Sequence, residues 1–201
     1  MILPALIRAA IALLAAAAEP AMASPFVPQS GDQILEHLPF AANDPAMREP
    51  DSYLLGAYAD FLLDQGQPQD VVELLKDKTR ADPLLLRYAL ALKAQEKPEA
   101  QAQIQQLRDR FEASRLRGDR VHLREEARFT LHLLSDPQTA LKLAQENWQI
   151  QKEPADLRIL LESALAAHDS ATIKTVRGWL TETGLEDHEI MRLLTNALQP
   201  N

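Results

Sequence analysis

The segments LGAYADFL, residues 55–62, and LLRYALAL, residues 85–92, share the pattern L-x-x-Y-A-x-x-L at an interval of 30 residues. Residues three or four positions apart lie on one face of a helix, so the pattern places two leucines, a tyrosine and an alanine on one side. A pattern that returns after about 20–50 residues is typical of repeat proteins. The two segments therefore predict an array of similar helical units.

The composition favours helices along the whole chain. The 201 residues include only 6 Gly, and 46% are hydrophobic. Leu, Ala, Gln and Glu are abundant, and all four are good helix formers. We therefore predict an all-α protein. Its formal net charge of −8 disfavours attraction to phosphate backbones, so we expect no nucleic acid partner.

Residues 1–23 are typical of a secretory signal peptide. Arg8 precedes an apolar run, and Ala21-Met22-Ala23 is a small-residue cleavage pattern. We expect cleavage after Ala23 and a periplasmic or secreted protein. The alternative is an uncleaved membrane anchor, since the first 18 residues approach the roughly 20 that a span needs. Only in that case do we expect membrane contact.

Residues 24–50 form a proline-rich leader. Each proline removes a backbone donor and disfavours helix at the preceding residue, so one short helix, near residues 32–38, is the most that we expect there. The sequence contains no Cys, which excludes disulfides and a thiol nucleophile.

Residues 51–200 have helical hydrophobic periodicity with regular breaks. Short connectors predict that consecutive helices are antiparallel neighbours. Pro68, Pro98 and Pro137 each open a second helix, and Asp169-Ser170 opens a fourth such helix. We predict about four helix pairs followed by a C-terminal capping helix that carries a polar outer side.

The first pair resembles the tetratricopeptide repeat, a two-helix unit of about 34 residues. The matching positions are Leu55, Tyr58, Ala59, Leu62, Gly66, Val71, Leu75 and Pro83. The later units depart from the pattern: Glu96 replaces the turn glycine, Arg124 and Arg128 replace apolar residues, and Leu161 and Ala164 invert the small-then-large order. The resemblance implies a right-handed superhelical α-solenoid that binds peptides or proteins on its concave side.

The same resemblance implies a set of concave, partner-facing positions. They are Tyr53, Asp60, Leu86, Leu90, Glu125, Phe129, His132, Arg158 and Glu162. Leu86, Leu90 and Phe129 would form an exposed apolar strip among them. The Lys and Asn combination with which some relatives hold a C-terminal carboxylate does not occur at these positions.

The sequence shows no catalytic motif. It has no phosphate-binding glycine loop, no G-x-S-x-G and no H-E-x-x-H. We expect a non-catalytic interaction module or assembly adaptor without a cofactor. One alternative is a periplasmic chaperone or a small-ligand or metal-binding protein, with His122, Glu125 and Glu126 on one helical face. Another is an enzyme with a carboxylate pair that a single sequence does not reveal.

The segment 108–128 is rich in arginine and acidic residues, and two interpretations are open. Its arginines include Arg108, Arg110, Arg115, Arg117, Arg124 and Arg128. The segment is either a dock for an acidic partner, since Arg binds carboxylates bidentately, or a solvated helix with internal pairs such as Arg108 with Glu112.

Ala59 provides a first test of the repeat. If successive units approach closely at this alanine, Ala59→Leu overpacks the interface and lowers the free energy of unfolding by ~1–3 kcal/mol. Urea denaturation followed by circular dichroism measures the loss. An unchanged stability would contradict close approach at this position.

Overall fold

The computed structural model describes residues 51–119 and 122–197, and these residues form nine α-helices and no strand. The helices are α1 (Ser52–Asp64), α2 (Pro68–Leu75), α3 (Asp82–Ala94), α4 (Ala100–Leu116), α5 (Leu123–His132), α6 (Pro137–Ile150), α7 (Pro154–Ala166), α8 (Ser170–Thr183) and α9 (His188–Asn196). The all-α prediction is therefore confirmed for this part of the chain. The signal peptide, its cleavage site and the leader helix lie outside the described residues.

Side-chain caps and prolines start many of the helices. Asp136, Asp169 and Asp187 each accept a hydrogen bond from the backbone N–H three residues on, at 3.1, 2.7 and 3.0 Å. Such bonds satisfy amides that have no partner inside the first helical turn. Pro68 and Pro137 open α2 and α6 as predicted, whereas Pro98 lies in a turn and α4 begins at Ala100.

Four turns share one backbone conformation. Gly66, Glu96, Ser135 and His168 have φ values of 70°, 54°, 58° and 55°. They follow the last residues of α1, α3, α5 and α7, respectively. Two residues after each of them comes the residue that was predicted to begin the next helix, which is Pro68, Pro98, Pro137 or Ser170. A residue in the left-handed region closes a helix by turning its last amides back onto free carbonyls. The turn predicted at Gly66 therefore recurs at three positions that lack glycine.

Most helices pack against their sequence neighbours, and successive odd-numbered helices also pack against one another. α1 packs against α2 and α3, α3 against α4 and α5, and α7 against α5, α6, α8 and α9. Ala59, Ala89, Ala127 and Ala164 on the odd-numbered helices are fully buried. The expectation that Ala59 and Ala89 lie where helices pack closely is confirmed.

Aromatic pairs join neighbouring helices in the core. Phe111 of α4 and Phe129 of α5 have ring centroids 5.2 Å apart, and Trp148 of α6 and Trp179 of α8 meet edge to face at 5.2 Å. Such pairs contribute beyond the apolar area that they bury. Both tryptophans therefore serve core packing. Within the described ranges, no helix has both the length and the apolar character needed to cross a membrane.

The left-handed turns provide a matched pair of substitutions. We expect Glu96→Gly to raise the free energy of unfolding by about 1 kcal/mol. A side chain in the left-handed region costs about 1–2 kcal/mol, and removing it recovers only part of this cost because glycine has more conformational entropy in the unfolded state. Gly66→Ala should lower it by a similar amount, although no atom lies within 4 Å of the added Cβ. Chemical denaturation measures both effects. Glu99→Gly, at a φ of −64°, is the control and should not stabilise.

Candidate functional site

The odd-numbered helices enclose a groove of about 650 Å³. Residues from α1, α3, α5 and α7, together with Glu153 and Asp187, form its walls. Its charged lining residues are Asp60, Asp64, Arg87, Arg124, Glu125, Arg128, Glu153, Arg158, Glu162 and Asp187. We refer to this cavity as the groove, and it is the candidate site.

An ionic strap crosses one end of the groove. Arg158 of α7 donates from both terminal nitrogens to the carboxylate of Asp64 on α1, at 2.7 Å each, although 94 residues separate them. Its Nε donates to Glu162 at 2.8 Å, and the Nε2 atom of His132 lies 2.9 Å from the other oxygen of Glu162. The strap, Asp64, Arg158, Glu162 and His132, thus joins α1, α7 and α5. Bidentate arginine pairs fix geometry as well as charge.

A second set of ion pairs forms the floor of the groove. Asp60 of α1 accepts from Arg87 of α3 and from Arg128 of α5, both at 2.6 Å. Burial alone would raise the pKa of Asp60, but the two guanidiniums outweigh it and lower that pKa. Arg87 also donates to the Gly56 carbonyl at 3.0 Å. A Cβ at Gly56 would lie 3.4 Å from the Arg87 Nε atom, which is ordinary van der Waals contact.

Arg124 binds acidic side chains at the start of α7. It donates to Glu153 at 2.8 Å and, more distantly, to Asp156 and Glu125 at 3.4 Å each. Asp156 is fully buried and also accepts from the Asn147 side chain at 2.7 Å and the Glu153 amide at 2.9 Å. A buried carboxylate needs such partners to remain charged. These contacts fix the residues that begin one wall of the groove.

The other end of the groove is open, and we call it the mouth. Tyr53 of α1 is 71% exposed, and Ala57 on the same helix is also exposed. On the α7 side, Glu153, Pro154 and Ala155 are exposed. The mouth therefore offers an aromatic ring, small apolar groups and a carboxylate to an incoming ligand.

The structure brings together most of the sequence-predicted site residues. The groove is lined by five of them: Tyr53, Asp60, Glu125, Arg158 and Glu162. His132 contacts the lining residue Glu162. The sequence reasoning missed Asp64, Arg87, Glu153 and Asp187. Only an acidic face on α1, with Asp60 and Asp64 at helical spacing, hinted at this network.

The predicted apolar strip is wrong as an exposed surface. Leu86 is fully buried, Phe129 is 3% exposed, and Leu90 is half-buried against the same core cluster. α3 is covered by α1, α2, α4 and α5, so its leucines point into the core on more than one side. The groove is therefore lined by charged and aromatic residues where an aliphatic strip was expected.

The arginine-rich segment pairs mainly with the protein's own carboxylates. Arg110 contacts Asp82, Arg115 contacts Glu126, and Arg124 and Arg128 belong to the groove. The pair predicted between Arg108 and Glu112 is not among the ion pairs of residues 51–119. Glu125 and Glu126 are engaged by Arg124 and Arg115, and the described residues contain no group of three or more side chains suited to a metal ion.

Comparisons with protein families, with curated proteins and with solved structures give no match. The resemblance to tetratricopeptide repeats stays a prediction from residues such as Leu55, Tyr58 and Ala59.

Glu162 gives the strap a measurable pH dependence. Burial would raise its pKa, but His132 and Arg158 outweigh burial and lower that pKa from 4.5 to about 2. A depressed carboxylate pKa stabilises the fold above pH 4.5, and this stabilisation is lost as the pH falls towards 2. The shift corresponds to at most about 3 kcal/mol.

We therefore expect Glu162→Gln to be less stable than the wild type at pH 7, and the difference to shrink between pH 5 and pH 2. Chemical denaturation at a series of pH values measures it. Glu73→Gln, at an exposed ion pair on α2, is the control and should show no such trend. A Glu162→Gln difference that is constant with pH would contradict the ionised strap.

Proposed function

We propose that this chain is a non-catalytic interaction module or assembly adaptor of the periplasm, which binds a segment of a partner protein in the groove. The observation that carries the proposal is the open mouth, where Tyr53 stands 71% exposed at the edge of a cavity of about 650 Å³. Aromatic residues are enriched at protein interfaces because they bury a large area at low entropic cost. An exposed ring beside a cavity is suited to such contact.

The proposed architecture is a right-handed superhelical array of about four antiparallel helix pairs, with α9 as the cap. Three features support it: the contacts between successive odd-numbered helices, the buried alanines that recur on them, and the left-handed turn that recurs between paired helices. In such an array the first helices line the concave side. The groove is formed by these helices, which is where a partner is expected.

The ion pairs support recognition over bond chemistry. A general acid or base needs a pKa near the working pH, whereas the pKa of Glu162 is held at about 2 and the pKa of Asp60 is also lowered. Both carboxylates already accept from arginines at 2.6–2.8 Å. These groups are arranged to hold helices in place and to present a fixed surface.

The strap supports a preformed site. Because Asp64 and Arg158 tie α1 to α7, the walls of the groove are fixed before a partner arrives. A preformed site loses less conformational entropy on binding. We expect partner binding to leave the backbone nearly unchanged.

Site-specific photo-crosslinking tests the proposal. A photoreactive amino acid replaces the groove residue Ala57 in one variant and Gln69, which is exposed on α2, in the other. After irradiation in the native cell envelope, we expect a discrete adduct from position 57 that weakens when Tyr53→Ala is added, and no such adduct from position 69. Equal adducts from both positions, or an adduct indifferent to Tyr53→Ala, would count against the groove.

A further inference from the structure

The groove has a net negative charge. Six carboxylates line it against four guanidiniums, an excess of two negative charges, and the whole chain has a formal charge of −8. A surface of this sign attracts cationic groups and repels anionic ones.

One net negative charge of the groove lies near the mouth. On the floor, one carboxylate, Asp60, is shared by Arg87 and Arg128. Near the start of α7, by contrast, Arg124 alone faces two lining carboxylates, Glu125 and Glu153. The side chain of Glu153 remains 55% exposed despite this contact. The mouth therefore combines an accessible carboxylate with the exposed ring of Tyr53.

The length of the groove limits the size of its ligand. Tyr53 and Asp64 are 11 positions apart on α1, which is about 16 Å along the helix axis. The strap bridges α1 and α7 at the Asp64 end, so a chain entering at the mouth meets it there. An extended peptide rises about 3.3 Å per residue, so about five residues fill this distance.

We infer that the groove binds a short basic segment of a partner protein, in which a Lys or Arg side chain is received by Glu153 and Tyr53 and a neighbouring apolar residue lies against Ala57, Pro154 and Ala155. This inference rests on the proposed function and specifies the chemistry of its partner. An ammonium or guanidinium group bonds strongly to a carboxylate and is also attracted to the face of an aromatic ring. The adjacent apolar groups bury the methylene stem of such a side chain.

Selection from a phage-displayed library of random heptapeptides tests the inference. The full chain is immobilised, bound phage are sequenced, and selected peptides are synthesised for fluorescence anisotropy against each variant. The groove variants are Tyr53→Ala and Glu153→Gln. The controls are Tyr53→Phe, which keeps the ring, and Glu73→Gln, which removes an exposed carboxylate from α2. Melting temperatures confirm that each variant is folded.

The expected result is enrichment of Lys or Arg beside an apolar residue. Affinity should fall about threefold to fivefold in Tyr53→Ala and about fivefold in Glu153→Gln. It should change less than twofold in both controls and should weaken as salt is raised. Retained affinity in both groove variants would overturn the inference.

Two other outcomes separate this inference from the proposed function. If the selected peptides lack basic residues but still lose affinity in Tyr53→Ala, the groove binds partners and the basic segment is wrong. If no selected peptide depends on Tyr53 or Glu153, and position 57 also gives no specific adduct, both the inference and the proposed function fail.

Discussion

Close contact between successive odd-numbered helices at buried alanines is the constraint on which the rest of the structure depends. Ala59, Ala89, Ala127 and Ala164 are fully buried, and a larger side chain at these positions would force the surrounding helices apart. A single helix pair buries only the surface between its two helices, so its outer faces remain exposed to water unless another pair packs on them. The row of helices that lines the groove follows from this packing.

The charged floor and strap follow from how that row brings α1 near α7. Arginine side chains are long, and here they reach from α3, α5 and α7 to carboxylates on α1. Taking such groups out of water is costly, so partly buried ion pairs contribute less to stability than their short distances suggest. The main role of these ion pairs is to determine which helices face one another.

Sequence reasoning located the helices, the turns and the close-packed alanines, since all three are local signals. It misjudged Leu86 and Phe129 because a period of 3.6 residues identifies one buried face, whereas α3 is packed on several sides. It also missed the pair of Asp64 and Arg158. Nothing local marks two residues 94 positions apart as partners, and only the packing of the helices brings them together. The left-handed turn at Glu96 shows, in addition, that backbone geometry can recur where its usual glycine does not.

The strap has a thermodynamic consequence for the array as a whole. In a linear stack each layer is held only by the layers beside it, and the terminal layers open first. The bond between Asp64 and Arg158 adds a coupling between α1 and α7 that bypasses the helices between them. Unfolding of either helix then removes a contact of the other, so this bond favours cooperative unfolding of the helices that it spans.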